Sequence, residues 1–293
     1  MDFVHLLVDP QTYYRLEKDG EYLSSAQGEK FLCRDGTVFF LDNKTIEQWE
    51  FRHERGNRYK NFLKKYLGFL RPPHMAIYME NLKTSMGEEP SFFRFLDRLD
   101  SKNKQFVLNI GSLSKRLDAY GHVRILNLDI SYYPNTDIVA NAEDLPFAND
   151  SLDAIIIKNV FEHLQKPIRV RDDMLRVLKP GWYAYVKIPF MQPFHAVPDD
   201  FQRYTLEGMK ELFVDFTIVE EWISVGPASA VSWILMEFLS MLFSFNNEKL
   251  YAFNMRFWRY ILFWVKYLDV FFRKNKFAYK LASAYYMTLK KNN

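Results

Sequence analysis

The chain has 293 residues, a formal net charge of only +3 and an aromatic share of 17%. Its single cysteine, Cys33, excludes an intramolecular disulfide and any metal site built from several cysteines. The length suits one large domain, or one domain with appendages, and the first residues lack the basic and apolar regions of a signal peptide. We therefore expect a cytoplasmic protein.

Charge is distributed unevenly along the chain. From Lys249 to the last residue there are ten Lys and Arg residues and one acid, Asp269, so this part carries a net charge of +9. Because the whole chain carries +3, the preceding residues carry 3 − 9 = −6. A basic tail on an acidic body predicts an anionic partner, either phospholipid or nucleic acid.

Residues 1–42 contain short alternating apolar segments interrupted by Asp-Gly and Gln-Gly, which predicts a small antiparallel β unit. This segment resembles the small zinc-ribbon-like module of the Trm112 type. The zinc-binding form of that module needs thiolates where this chain has Asp9, Thr12 and Ser24, and such oxygen ligands do not make a structural zinc site. We expect a metal-free scaffold or docking unit, and we predict no metal site elsewhere.

Residues 43–104 are predicted to form a helical connector. Apolar residues recur at helical spacing from Phe62 to Leu70, and two prolines follow at 72 and 73. Pro90 begins a second candidate helix. We expect these helices to pack across the edge of the sheet and the mouth of the site.

Residues 105–293 are predicted to form the main domain. Its short apolar segments alternate with segments of helix length, which is typical of a parallel sheet covered on both faces. Asp129 ends the second apolar segment, 18 residues after Gly111. An acid at this spacing suggests a nucleoside-binding crevice.

Three segments, in this order, carry a family resemblance: residues 142–153, 161–164 and 176–181. They resemble the class I S-adenosylmethionine-dependent methyltransferases of the methyltransferase-11 type, and the resemblance extends from residue 105 to about 224. It implies an α/β fold with a doubly wound, seven-stranded, mostly parallel sheet. It also implies S-adenosylmethionine as cofactor and methyl transfer as activity.

The resemblance implies cofactor-binding residues at the ends of successive strands. Small residues let the first turn approach the methionine part of the cofactor, a carboxylate accepts the ribose hydroxyls, and a loop reads the adenine edge. The residues in these positions are Asn109, Gly111 and Ser112 in the first turn, Asp129 and Ile130 after the second strand, Asn141, Ala142 and Glu143 in the adenine loop, and Asn159 after the fourth strand.

The first turn departs from the family's acidic-x-Gly-x-Gly-x-Gly pattern. Asn109 replaces the acid, and Leu113 and Lys115 replace the second and third glycines. Leu113 adds bulk where the backbone usually runs close to the ligand. Two alternatives therefore stay open, a working enzyme and a non-catalytic binding or regulatory protein on a degenerate methyltransferase fold.

The acceptor side is predicted in the loop that follows the fifth strand. Residues 195–205 resemble a segment found in a subset of these methyltransferases, often encoded among polysaccharide-modifying genes. His195 is the candidate general base, Asp200 its orienting partner, and Arg203 and Tyr204 the candidate contacts to an acidic or sugar-like acceptor.

His163 is a further candidate for contact with cofactor or substrate. The alternative for the acceptor loop is a purely architectural role. Asp200 and Arg203 would then form a salt bridge, and Thr205 would cap the next helix.

An insertion at about 225–278 precedes the last strand. Its first half is apolar but contains Glu237, and it is too short for a transmembrane span. Its second half mixes Trp and Phe with Lys and Arg, which predicts a helix lying in an anionic membrane surface, with basic residues drawn from 249–291. The alternatives are a helical cap on the core, a homodimer interface and, least favoured, a nucleic-acid site.

The predicted function is S-adenosylmethionine-dependent methyl transfer to a small-molecule, saccharide or lipid-linked saccharide acceptor. The protein is expected to be cytoplasmic, and peripheral on the inner face of the membrane if the basic insertion binds lipid. Besides the non-catalytic alternative, an RNA methyltransferase is considered because of the Trm112-like start.

Overall fold

The computed structural model describes residues 1–41, 73–83, 89–99, 103–112, 123–195 and 199–293. The predicted helix around Phe62 to Leu70 and the substituted turn positions Leu113 and Lys115 lie outside these ranges. The strands of the described ranges are β1 (Leu16–Asp19), β2 (Tyr22–Ser25), β3 (Lys30–Arg34), β4 (Thr37–Phe39), β5 (Gln105–Ile110), β6 (Val123–Asp129), β7 (Ile138–Val139), β8 (Leu152–Lys158), β9 (Leu178–Pro189), β10 (Phe216–Val225) and β11 (Ala284–Lys291).

All of these strands belong to one sheet, in the order β1-β2-β3-β4-β7-β6-β5-β8-β9-β11-β10. The strands from β7 to β10 in this order form the predicted seven-stranded unit, and that prediction is confirmed. Its pairs are parallel from β7 across to β9, whereas β11 is antiparallel to both β9 and β10. The chain therefore leaves β5 toward β7 on one side and returns to β8 on the other, which makes a topological switch between β5 and β8.

The first four strands extend this sheet rather than standing apart from it. They form the predicted antiparallel unit, and β4 then pairs in parallel with β7. Asp9 accepts hydrogen bonds from the Gln11 backbone N–H at 2.9 Å and from Thr12 Oγ1 at 2.7 Å, which closes a turn before β1. The proposed division of the chain into 1–42, 43–104 and 105–293 stays a prediction.

The helices of the described ranges are α1 (Pro90–Asp97), α2 (Pro167–Val177), α3 (Leu206–Leu212), α4 (Pro227–Leu242), α5 (Glu248–Leu262) and α6 (Asp269–Phe272). Proline stands in the first turn of α1, α2 and α4. Its missing N–H costs nothing there, because the first N–H groups of a helix have no partner within the helix.

The sheet is covered on both faces, as its apolar segments predict. Neighbouring residues of a strand point to opposite faces, so Leu108 lies in one apolar cluster and Val107 in another. The same alternation separates Ile155 from Ile156 in β8. Each face therefore has its own packed layer, and only the strand ends are left to meet a ligand.

The strand β9 contains an irregular segment. Residues 179–181 are Lys-Pro-Gly, a composition typical of a turn, but they belong to β9. Leu152 pairs with Leu178, whereas Ala154 pairs with Tyr183, so β9 carries additional residues in a bulge. A bulge keeps the strand paired on both sides of an irregular segment, which the residue pattern alone does not distinguish from a turn.

The predicted helical insertion lies between β10 and β11 and contains α4, α5 and α6. Asp269 holds it together at the start of α4. Its carboxylate accepts hydrogen bonds from the backbone N–H groups of Ala228 (2.7 Å) and Ser229 (3.1 Å) and from Ser229 Oγ (2.8 Å). Gly226 permits this approach, since a Cβ there would lie 2.3 Å from Asp269 Oδ1. A fully buried acid thus serves as the cap of a helix 40 residues earlier in the chain.

We predict that Asp269→Ala lowers the free energy of unfolding by about 2 kcal/mol, because the first N–H groups of α4 are buried and would lose their acceptor. Urea denaturation followed by circular dichroism measures the change. Asp172→Ala is the control, since Asp172 pairs with Arg171 on the surface and has a side chain 59% exposed. The control should cost about 0.5 kcal/mol or less. Equal losses in the two variants would contradict the capping role.

Candidate active site

The candidate site lies where the carboxyl ends of β5, β6, β8 and β9 meet. Gly111 follows β5 directly and has a φ of +71°. A Cβ at this position would lie 2.3 Å from Val160 Cγ2, in the segment that follows β8. Only glycine adopts this conformation readily and leaves room for Val160, so the two segments meet at the topological switch.

The other two predicted residues of the first turn are both buried and polar. Asn109 donates from Nδ2 to Asn127 Oδ1 at 2.9 Å, which joins β5 to β6 through their side chains. Ser112 Oγ is buried and has no hydrogen-bond partner among the described residues. Because buried hydroxyls are normally paired, this atom fits a polar group of a ligand at the first turn.

Asp129 is buried at the end of β6, where the ribose carboxylate was predicted. It accepts a hydrogen bond from the Ser131 backbone N–H at 3.0 Å, and Ile130 between them is half-buried. Ser131 supplies a second buried hydroxyl at this strand end. Ser131 was not predicted as a site residue, because a serine after a strand is too common to stand out.

The predicted adenine loop is organised by its own side chains. Asn141 Oδ1 accepts from the Glu143 backbone N–H at 3.0 Å, and Ala142 between them is buried. Glu143 Oε1 accepts from the backbone N–H groups of Gln165 (3.0 Å) and Lys166 (2.8 Å), immediately before α2. These bonds fix the loop against α2 and give Glu143 a structural task besides any contact with adenine.

Asn159 ends β8 in a left-handed conformation, with a φ of +54°. Its side chain is exposed, and its backbone N–H donates to Lys187 O at 2.9 Å. Asparagine tolerates this conformation better than most residues. The turn at Asn159 directs the chain past Gly111 toward Glu162 and His163.

A buried carboxylate lies beyond this turn. Glu162 has no exposed surface, and neither of its carboxylate oxygens has a hydrogen-bond partner in the part of the chain that the structure describes. Burial raises the pKa of Glu162 to about 8. His163 Nε2 lies 3.7 Å from Glu162 Oε1, and His195 Nε2 lies 3.9 Å from the same oxygen.

The two imidazole rings meet edge to face, with their centroids 5.7 Å apart. Each ring directs its other nitrogen to a backbone carbonyl. His163 Nδ1 contacts Asp199 O, and His195 Nδ1 lies 3.0 Å from Pro193 O. Burial lowers the pKa of His163. Both Nε2 atoms therefore face the Glu162 carboxylate, and Glu162, His163 and His195 are called the Glu-His-His cluster below.

Asp200 and Arg203 support the loop that carries His195. Arg203 donates to both oxygens of Asp200, with Nη2 to Oδ2 at 2.6 Å, and Asp200 Oδ2 accepts from the His195 backbone N–H at 2.8 Å. Burial alone would raise the pKa of Asp200, but the bonds from Arg203 and His195 hold it below its ordinary value. Asp200 Oδ2 is 3.7 Å from His195 Nδ1, so it holds the backbone of His195 rather than its ring.

The two contacts that a purely architectural role predicts for this loop are both present. Besides the Asp200–Arg203 ion pair, Thr205 Oγ1 accepts from the Gly208 N–H at 3.0 Å and caps α3. Tyr204 is half-buried against the main core, and burial raises its pKa. Direct roles of Arg203 and Tyr204 toward an acceptor stay predictions.

The helical insertion also reaches the cluster. The ring of Trp233, on α4, lies 5.8 Å from the ring of His195. The contact between Trp233 and His195 was not predicted, because the two residues are 38 positions apart and no sequence pattern relates their segments. Glu162 was likewise not predicted as a site residue, since a sequence motif does not show that a side chain is buried without a hydrogen-bond partner.

Comparison with known proteins identifies the central part of the chain. Residues 109–186 match the family model described as a methyltransferase domain. The match confirms that this stretch is a domain of the S-adenosylmethionine-dependent methyltransferases, the cofactor of which is S-adenosylmethionine. The Trm112-like resemblance of residues 1–42 is not confirmed.

The curated relatives match over short stretches. A methyltransferase of Mycolicibacterium vanbaalenii, named as uncharacterized, is 47% identical over 49 residues, which is 17% of this chain and 19% of that protein. The ubiquinone/menaquinone biosynthesis C-methyltransferase of Vibrio campbellii is 30% identical over 121 residues, 39% of this chain and 45% of that protein. The chain thus matches less than half the length of either relative.

Solved structures show more distant likenesses. A phosphoethanolamine N-methyltransferase of Haemonchus contortus in complex with S-adenosylmethionine has a TM-score of 0.41 at 12% identity, covering 69% of this chain and 52% of that one. A methyltransferase of Methanosarcina mazei has a TM-score of 0.36 at 13% identity, covering 47% and 89%. Since both scores are low, the fold assignment depends on the strand order itself.

We predict that Gly111→Ala lowers the free energy of unfolding by about 2–4 kcal/mol. Roughly 1–2 kcal/mol comes from the left-handed backbone and the rest from the clash with Val160. Adding Val160→Ala removes the clash but not the backbone cost, so the double variant should lose less than the sum of the two single variants. Urea denaturation of the three variants measures this coupling, and simple additivity would contradict the close approach.

Proposed function

We propose that the chain is an S-adenosylmethionine-dependent methyltransferase whose methyl acceptor binds beside the Glu-His-His cluster. The observation that carries this proposal is the position of the cluster at the ends of β8 and β9, next to the contact between Val160 and Gly111. Ligands of doubly wound sheets bind at this edge.

The residues at the strand ends fit the cofactor. Gly111 and the buried Ser112 hydroxyl suit its methionine part, Asp129 its ribose, and residues 141–143 its adenine. When bound, S-adenosylmethionine supplies a methyl group already activated on a sulfonium. The chain must then align the acceptor with that methyl group and exclude water.

A hydroxyl acceptor must also lose a proton. With its Nδ1–H donating to Pro193 O, His195 keeps a lone pair on Nε2 that can accept this proton. Glu162 lies 3.9 Å away, and above its raised pKa of about 8 its ionised carboxylate would stabilise the resulting imidazolium. Asp200 and Arg203 act as positioning residues for the loop.

The insertion favours an acceptor attached to lipid. The apolar residues on the outer face of α4 recur at helical spacing, and a second series continues through α5 to α6. The exposed members of the first series are Val231, Ile234, Phe238 and Met241; those of the second are Phe253, Phe257, Ile261, Trp264 and Phe271. This outer face of the insertion is called the apolar face below.

Exposed cations accompany the apolar face. Lys274, Lys276 and Lys280 follow α6 and are all exposed. No helix of the described ranges has both the length and the apolar character needed to cross a membrane. Aromatic residues combined with lysines suit an anionic membrane surface, into which the apolar face would be buried.

The two ends of α4 link this surface to the site. Trp233, early in the helix, lies beside His195, while Phe238 and Met241 are exposed farther along. An acceptor with a polar head and an apolar tail could have its head at the Glu-His-His cluster while its tail stays in the membrane. We therefore propose a saccharide, and specifically a lipid-linked saccharide, as the acceptor class.

We predict that Asp129→Asn weakens binding of S-adenosylhomocysteine by about 10- to 100-fold, because a hydrogen bond between a charged carboxylate and the ribose contributes roughly 1.5–3 kcal/mol. Calorimetric titration measures the affinity. Asp150→Asn is the control, since Asp150 is exposed and pairs with Lys291 away from the site. If the unaltered protein does not bind S-adenosylhomocysteine at millimolar concentration, the result favours the non-catalytic alternative over the methyltransferase.

We predict that the protein floats with vesicles containing anionic phospholipid at low salt, and that Phe257→Ser combined with Phe271→Ser reduces the bound fraction at least tenfold. Each phenylalanine contributes about 1.5–3 kcal/mol when fully buried in an apolar phase. Phe93→Ser is the control, because Phe93 is 45% exposed on α1, outside the insertion. If the protein does not float, and is instead a dimer in solution whereas the double variant is a monomer, then a second copy of the chain covers the apolar face.

A further inference from the structure

We propose that Glu162, His163 and His195 bind a divalent transition-metal cation through Glu162 Oε1 and the two Nε2 atoms. The candidate ligand atoms of these three residues all lie within 4.8 Å of one another. The binding site is inferred from geometry alone. Its role in catalysis rests on the proposed methyl transfer.

The buried position of Glu162 favours a bound cation. Its side chain is 0% exposed, and both carboxylate oxygens lack a hydrogen-bond partner among the described residues. An ionised carboxylate buried without a partner is costly, and buried charges are normally paired or coordinate metals. A cation between Glu162 and the two histidines would satisfy the carboxylate.

The orientation of the two imidazole rings also suits a cation. Metal-binding histidines usually donate their other N–H to a carbonyl or carboxylate, which fixes the lone pair on the metal side. Here His163 Nδ1 contacts Asp199 O and His195 Nδ1 lies 3.0 Å from Pro193 O. Donation from each Nδ1 to these carbonyls would leave both Nε2 lone pairs directed at Glu162.

Arg203 offers a competing contact to one ring. Its Nη2 lies 3.2 Å from His195 Nδ1, and a guanidinium can only donate. Donation from Arg203 would require the proton on Nε2 instead. A cation on Nε2 selects the tautomer that donates to Pro193, and Arg203 keeps its two bonds to Asp200.

The donor set indicates the class of cation. Two imidazole nitrogens and one carboxylate suit Zn²⁺, Fe²⁺ or Mn²⁺, whereas Mg²⁺ and Ca²⁺ prefer oxygen ligands. Typical bonds of about 2.0–2.2 Å require the three atoms to approach one another by small side-chain rotations. Three protein ligands leave positions open for an exogenous oxygen.

Those open positions suit a hydroxylated acceptor, such as a saccharide with adjacent hydroxyls. A cation lowers the pKa of a hydroxyl that binds it. The acceptor O–H bond breaks and its proton passes to water. The oxygen then bonds to the methyl carbon as the carbon–sulfur bond breaks, leaving S-adenosylhomocysteine. The cation thereby takes over the task that His195 would otherwise have as a base.

The test is calorimetric titration of the full chain with Zn²⁺ and with Mn²⁺, after treatment with a chelator. We expect one site, with affinity at least tenfold weaker in Glu162→Gln and in His195→Ala. His5→Ala is the control for adventitious surface binding, because His5 is exposed and lies outside the cluster. Equal cation binding by the unaltered protein and both cluster variants would overturn the proposal.

Glu162→Gln also distinguishes loss of the metal ligand from loss of cation binding caused by misfolding. It keeps the shape of the side chain and removes the buried charge, so its melting temperature without metal should not fall. Added Zn²⁺ should raise the melting temperature of the unaltered protein but not of this variant. Binding of S-adenosylhomocysteine should be the same in both. An unaltered protein that binds S-adenosylhomocysteine but no cation would therefore refute the metal site alone, whereas failure of the unaltered protein to bind S-adenosylhomocysteine would refute the proposed function.

Discussion

The contact between the ends of β5 and β8 is the constraint on which the site depends. The side chain of Val160 fills the space beside Gly111. Position 111 therefore cannot carry a larger residue unless one of the two strand ends moves. This contact fixes where the chain leaves β8. It thereby sets the position of Glu162 and His163 relative to the cofactor edge, which is defined by Asp129 on the next strand.

The apolar segments of the central domain predicted most of the sheet, because strands buried on both faces leave a direct compositional signal. The family resemblance predicted a doubly wound, seven-stranded sheet and the residues at the ends of its strands. The bulge in β9 was missed because its residues have the composition of a turn. The pairing of β4 with β7 was missed because pairing between distant segments has no local signal.

The site itself was predicted less completely than the fold. Asp129 and Gly111 stand at recognisable positions in a pattern. The importance of Glu162, by contrast, comes from burial and from missing partners, which depend on the packing of β8, β9 and the loop after β9. Asp200 was predicted to orient the His195 ring, but its Oδ2 accepts from the His195 backbone N–H at 2.8 Å and lies 3.7 Å from the ring nitrogen Nδ1. The sequence does not distinguish these two contacts.

The pairing of β4 with β7 has a consequence for the assembly of the sheet. A β7 strand of two residues, left at the edge, would present unpaired backbone groups to any other extended chain. The N-terminal strands move that edge outward to β1, whose sequence contains Glu17, Lys18 and Asp19. Charged residues discourage edge-to-edge association, so the first segment of the chain also protects the protein against aggregation while the central sheet forms.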